Sequence, residues 1–206
     1  MPQQEMKSRI ALLIASALMV GMLISSFTYP PGVGVTTNSR SCMSCHVENG
    51  PWDDDGTIID MVDKATMSSL RQPDGTFVLK VKRGERSTVL TVIGRKAGDT
   101  AARPYRNGWT YIDPTRIGTG SISKFAPGWS VDLQMSCRLV GDQLPAFEGT
   151  SISALPMTVM PLDDAKDSEI ELQLMLTSGE AVKGNAALGI TGNYFVRTVK
   201  LDVLDQ

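Results

Sequence analysis

The larger part of this sequence predicts a mainly β domain, built as an antiparallel β-sandwich or barrel. Three observations carry that expectation. Beyond residue 46 the apolar residues recur with period two rather than 3.6. Turn signals separate these runs, drawn from 19 glycines and 11 prolines. No long amphipathic pattern interrupts them, so strands packed on strands are the remaining way to build a core. The 206 residues suffice for one such domain and an appendage. A net charge of −2 provides no basic field for tracking nucleic acid.

The appendage comes first. Residues 1–9 are a short polar start that carries Lys7 and Arg9. Residues 10–27, IALLIASALMVGMLISSF, hold no charge. As a helix they span roughly 27 Å, close to the thickness of a bilayer core. The positive-inside rule keeps Lys7 and Arg9 in the cytoplasm and sends everything beyond residue 27 outside. The expectation is an uncleaved single-pass anchor in the cytoplasmic membrane, with the domain on the periplasmic side. A removed signal peptide is the alternative, but an A-x-A-like cleavage site is missing and the apolar stretch exceeds the usual length. Ala17, Gly21 and Ser25 recur every fourth residue, which suits close packing with another membrane helix, although small residues are common in any anchor. Residues 28–41, TYPPGVGVTTNSRS, cannot continue the helix and form a tether of at most roughly 40 Å.

At the end of the tether lies Cys42-Met43-Ser44-Cys45-His46. This C-x-x-C-H pattern is the attachment motif for a c-type haem. Two thiols add across the two porphyrin vinyl groups, and two intervening residues let both sulfurs reach. The histidine follows at once, so its ring falls under the iron as the proximal axial ligand. His46 is the only histidine in the chain. A zinc site built from Cys42, Cys45, His46 and Cys137 is the rival, but adjacent Cys45 and His46 diverge and zinc sites favour separated pairs. A redox dithiol would want a βαβ context, which the pattern lacks.

Residues 42–206 are then the haem-binding β-rich domain. The clearest run is 129–140, WSVDLQMSCRLV, in which Trp129, Val131, Leu133, Met135, Cys137 and Leu139 share one face. Residues 77–82 alternate likewise after a Pro73-Asp74-Gly75 turn, with 89–93 as their hairpin partner. Ile170, Leu172, Leu174 and Leu176 mark another strand, and 194–204 a last one. Weaker runs are 57–62, 109–112, 152–155 and 157–160. Residues 65–70 and 163–169 are the plausible helical turns, and 95–107 reads as a long polar loop.

A lone histidine rules out bis-histidine ligation within this chain, so the distal position falls to another group. Met160 is the first candidate, with Met157 in reserve and Met61 and Met67 behind them. The plain alternative is core methionines in a strand. Cys137 reads as an inert core cysteine. Asp53-Asp54-Asp55-Gly56 reads as a solvated turn, with a docking patch for a basic carrier or a calcium loop as sharper readings. Trp52 reads as packing against a haem edge or the core. Arg103 and Arg106, among Tyr105, Trp109 and Tyr111, offer partners for a haem propionate, though a solvent loop leading into a strand is the simpler account.

Through Cys42, Cys45 and His46 the chain resembles the c-type cytochromes. Thr158-x-Met160-Pro161 resembles the T-x-M-P loop that carries the methionine ligand in many of them, although here it lies much further from the haem motif. The small soluble members are helical, and the remaining chain is not like them. A haem motif before a β-rich extrinsic domain is similar in plan to cytochrome f, which is anchored at its other end. The resemblance implies one covalent haem c and one-electron transfer without a substrate pocket. It also implies a neighbouring subunit of a respiratory or photosynthetic complex, or a redox carrier, as partner. A mainly structural subunit of a larger membrane oxidoreductase, whose β-domain docks a neighbour, is the alternative.

Overall fold

The fold is known from a computed structural model, which describes residues 47–101, 103–116, 125–133, 135–180, 182 and 188–205. The anchor, the tether, and Cys42, Cys45 and His46 lie outside the described residues. Among the described residues no helix is long and apolar enough to cross a membrane.

The described chain is mainly β. Its strands are β1 (Val47–Glu48), β2 (Thr57–Asp63), β3 (Phe77–Lys82), β4 (Ser87–Arg95) and β5 (Tyr105–Ile112), then β6 (Trp129–Asp132), β7 (Met135–Leu139), β8 (Ser151–Pro161), β9 (Ser168–Gly179) and β10 (Ile190–Leu204). One sheet runs β1-β10-β9-β5-β7, with β3 beside the other half of β10. The second runs β2-β4-β8-β6. Both β1 and β3 join β10 in parallel, and every other pairing is antiparallel. The sandwich is therefore not wholly antiparallel as the period-two pattern predicts.

The main core lies between the sheets. Met61, Val89, Ile93, Met157 and Val159 come from the smaller sheet; Phe77, Leu79, Trp109, Tyr111, Leu172, Leu174 and Leu176 come from the larger. A hydrogen bond of 2.8 Å between the hydroxyls of Thr91 and Tyr111 crosses this core. Burial pushes the Tyr111 phenol far above its ordinary range, so it stays protonated there. A second cluster, Val62, Leu90, Val92 and Ile152, lies beneath Leu144 and Phe147. That cover explains why β4 is buried on both faces and lacks strict alternation.

Several expectations change. Residues 89–93 do not form a hairpin with 77–82: β4 pairs with β2 and β8, while β3 pairs with β10. The turn between them, with Gly84 at φ 77°, carries the chain from one sheet to the other. Residues 129–140 are not one strand. Leu133 adopts φ 60° where the chain leaves β6 in the smaller sheet for β7 in the larger. The alternation inverts there, so Leu133, Cys137 and Leu139 are exposed rather than buried. The runs 152–155 and 157–160 fuse into β8 through Pro156, in the stretch that β4 alone flanks, where a missing donor is tolerated. Residues 65–70 are not helical: a turn over 64–66, where the Asp63 carboxylate accepts hydrogen bonds from the amides of Ala65 and Thr66, leads to a bridge between Ser69 and Val62. Residues 163–169 are a turn followed by the start of β9. The helical turns among the described residues are instead Pro114–Arg116 and Pro145–Phe147.

Gly94, in the middle of the smaller sheet, has no room for a side chain. A Cβ there would meet the Ser151 carbonyl oxygen and the Ile152 Cα, both backbone atoms. Gly94→Ala is expected to destabilise the domain by about 1–3 kcal/mol through forced strand displacement. The check is the urea midpoint of the purified protein against the unsubstituted chain.

Candidate functional site

The stretch 95–107, expected as a loop, holds the least ordinary chemistry among the described residues. Arg95 ends β4 and is fully buried. Its guanidinium lies between two rings, 4.2 Å from the centre of Trp52 and 4.4 Å from that of Tyr105. It donates to Asn107 Oδ1 at 3.2 Å and to the Thr177 carbonyl at 2.7 Å. Its Nε lies 3.4 Å from the Asp99 carboxylate. Burial lowers the Arg95 pKa to about 10, against the opposing pull of Asp99 and then Tyr105, so it remains a cation at neutral pH.

The partners are held in turn. Trp52 Nε1 donates to Asp99 at 2.6 Å. Asn107 Nδ2 donates to the Ile93 carbonyl at 2.7 Å and to Ser153 at 3.2 Å, which ties both sheets to one amide. The Tyr105 hydroxyl donates to the Ala101 carbonyl at 2.9 Å. The Trp52 amide donates to Asn193 Oδ1 at 3.0 Å, and the Gly50 amide to the Gly192 carbonyl at 2.9 Å. A side chain at Gly50 would collide with Asn193, so glycine is what lets this segment lie against β10. Arg95 thus clamps the segment that follows His46 onto the body.

The register puts these groups at one end of the larger sheet. Val47 pairs with Thr191, Thr191 with Ser178, and Ser178 with Tyr105. Beyond Tyr105 lies an open groove of about 560 Å³, lined by Arg103, Pro104, Leu139, Val140, Ile152 and Glu180 among others. Its lining is mixed, with Asp142, Gln143, Thr150 and Ser151 beside the apolar residues, and it carries Arg103, which among the described residues is paired with no carboxylate.

The other residues singled out in the sequence fall elsewhere. Met157 is enclosed in the main core. Met160, in β8, lies beside Pro161, whose carbonyl accepts from Gly84 near the Leu204 end of β10. Val47 meets the opposite end of β10, so about 40 Å of strand separates the two levels. Met61 is in the core and Met67 is in the turn after β2. Cys137 is exposed on β7, not in the core, because the inversion at Leu133 turns it outward. Desolvation by its surroundings raises its thiol pKa against the pull of Arg106, so it is protonated at neutral pH. Asp53 accepts from the Gly56 amide at 2.7 Å, and Asp54 pairs with Arg197 at 2.6 Å, which makes this acidic run a turn tied to β10. Among the described residues no three His, Cys, Asp or Glu side chains stand together as a metal site. Arg95, Asp99 and Asn107 escaped the sequence reading, since three polar residues spread over thirteen positions look like loop composition. Their only signal is placement between two strands with Trp52 and Tyr105.

No protein-family model matches the chain, and no curated protein does. Among solved structures it is similar to one described as the N-terminal domain of PorA, with 8% identity and a TM-score of 0.28. The match covers 71% of this chain and 97% of that one. A superposition this loose does not define a shared fold.

Arg95→Gln is expected to cost about 1–3 kcal/mol, because Asn107 Oδ1 and the Thr177 carbonyl lose a charged donor and the part-buried Asp99 carboxylate loses its cation. Urea denaturation measures the loss. A red shift of tryptophan emission would accompany release of Trp52 from its buried position.

Proposed function

We propose that this chain is a membrane-anchored, single-haem c-type cytochrome that transfers one electron at a time, as a subunit of a respiratory or photosynthetic membrane complex. One observation carries the reading: Cys42-Met43-Ser44-Cys45-His46 follows a charge-free 10–27 segment and contains the chain's only histidine. Export and haem attachment belong together, since the cytochrome c family receives its haem outside the cytoplasmic membrane. When bound, the haem supplies the Fe(III)/Fe(II) couple.

The chain's own residues hold that group. Cys42 and Cys45 form the two thioethers, and His46 provides the proximal nitrogen. Trp52, held by Arg95 and Asp99, fixes the backbone just beyond His46. A fixed backbone suits electron transfer, because an iron whose ligand does not shift reorganises little between its two states. The β-domain would face the periplasm beside a partner subunit, within the reach of the 28–41 tether. The exposed Leu133, just after the edge strand of the smaller sheet, and Leu139, on the edge strand of the larger, also favour a second reading, a domain whose main work is docking a neighbouring subunit.

The test is a pyridine haemochrome spectrum of the membrane fraction expressing the chain, alongside a Cys42→Ala/Cys45→Ala double variant. Covalent haem that follows the polypeptide through denaturing electrophoresis, and that vanishes in the variant, is the expected outcome. Retention of covalent haem by the double variant would end this reading.

A further inference from the structure

The larger sheet ends at β7 with an open edge. We infer that β7 pairs with β7 of a second copy of this chain, antiparallel about a two-fold axis through Cys137, so that the two larger sheets join into one. This does not depend on the haem reading. It differs from the docking of a neighbouring subunit in that the partner is the same chain.

Backbone geometry is the first argument. Among the described residues only β5 flanks β7. The Val140 amide donates to the Tyr105 carbonyl at 3.0 Å, so residues 136, 138 and 140 turn their backbone groups toward β5. Met135, Cys137 and Leu139 turn theirs to the open side. Pairing centred on Cys137 sets Met135 against Leu139 of the second copy, and every open N–H and C=O of the three residues then has a partner.

The contrast with the other edges is the second. Exposed sheet edges are normally kept from pairing by charge, brevity or cover. The open side of β2 is met by the Leu70 amide, which donates to the Met61 carbonyl, and β2 carries Asp60 and Asp63. β3 donates from Val78 to the Leu70 carbonyl and carries Lys80 and Lys82. β1 has two residues, and β6 has four and ends on Asp132. β7 has no such device on its exposed face. Its one charge, Arg138, pairs in the ladder with Asn107 on the inner face and is held by Asp142 at 2.8 Å.

Self-complementarity is the third, and it selects the occupant. Leu139 is 55% exposed, and Cys137 is exposed beside it on the outer face. Gly108 opposite Cys137 adds no side chain to that face. In the two-fold register the outer face reads Met135 on Leu139, Cys137 on Cys137 and Leu139 on Met135, apolar at each step. On the inner face Arg138 falls opposite Ser136, so no like charges meet. A strand whose polarity reads the same in both directions is what an isologous contact requires. An unrelated partner would need no such symmetry.

The experiment uses the full chain, purified from membranes in mild detergent. Light scattering gives its mass, and a short bismaleimide followed by peptide mapping locates neighbouring thiols. In the paired strands the two Cys137 Cα atoms lie about 5.5 Å apart, within reach of such a reagent. The unsubstituted protein should be a dimer that cross-links Cys137 to Cys137. Cys137→Ser should keep the dimer and lose the cross-link. Cys137→Lys sets two lysines against each other and Cys137→Asp two carboxylates, so each variant alone should lose the dimer. Co-expressed with different tags, the two should pair with one another, which also shows that both still fold. Ala65→Lys, an added charge on an exposed turn remote from β7, should change nothing. A monomeric unsubstituted protein would overturn the inference. So would a dimer that survives Cys137→Lys without a Cys137 cross-link, or failure of the lysine and aspartate variants to pair. Cross-linking of Cys137 to a different polypeptide would overturn it in favour of a heterologous neighbour.

Discussion

A guanidinium without access to water governs the arrangement of this domain. Taking an arginine out of solvent costs several kcal/mol even after relaxation. No single contact offsets that. A desolvated cation–π contact contributes about 2 kcal/mol, and a hydrogen bond to a charged group about 1.5–3 kcal/mol. Arg95 has two rings, Asn107, the Thr177 carbonyl and the Asp99 carboxylate. Their sum is comparable with the desolvation cost only if every partner is in place. The cluster therefore acts as a unit, and its members come from β4, the connection after it, β5, β9 and the segment that follows His46.

That requirement has a mechanical consequence. Trp52 cannot leave without exposing Arg95 and freeing Asp99, so it ties the segment after His46 to the sheet. The opposite end of the sandwich is closed differently. There Arg83 donates to three carbonyls, those of Leu162, Asp163 and Ala165, and remains partly exposed. The two ends thus differ in kind. One is a wet clasp of surface turns, and the other is a dry cation fastening the segment that the proposed haem would ride on. An electron carrier gains from such a fixed attachment, because its cofactor keeps one distance to its partner.

The sheet order follows from two short devices. Gly84, at φ 77°, allows the chain to leave β3 in the larger sheet and begin β4 in the smaller. Leu133, at φ 60°, does the reverse between β6 and β7. The second is the costlier, since a side chain is held in a left-handed conformation. It also rotates the register by one residue and leaves Leu133, Cys137 and Leu139 on the outside.

Much of the body was legible from residue pattern alone. Period two located β2, β3, β9 and β10, because a strand with one face in a core must alternate whatever its partners are. The C-x-x-C-H pattern was visible for a similar reason: it is local, set by five consecutive residues, and the haem it suggests is a proposal. Pairing was not legible. Which strand lies beside 77–82 depends on contacts between residues far apart in sequence, and the parallel join to β10 leaves no mark in either segment. The break at Leu133 was hidden because leucine carries no signal for a positive φ; the surrounding packing imposes it. Arg95 was hidden most completely. A charged residue counts as solvent-facing until its partners are known, and here they are scattered from Trp52 to Thr177. The sequence by itself determined strand content, the uncharged N-terminal segment and the C-x-x-C-H pattern, since each is a property of neighbouring positions. Only the tertiary structure decided the strand order, the exposure of Cys137 and the burial of one cation, because each is a balance struck among groups that the chain brings together only by folding.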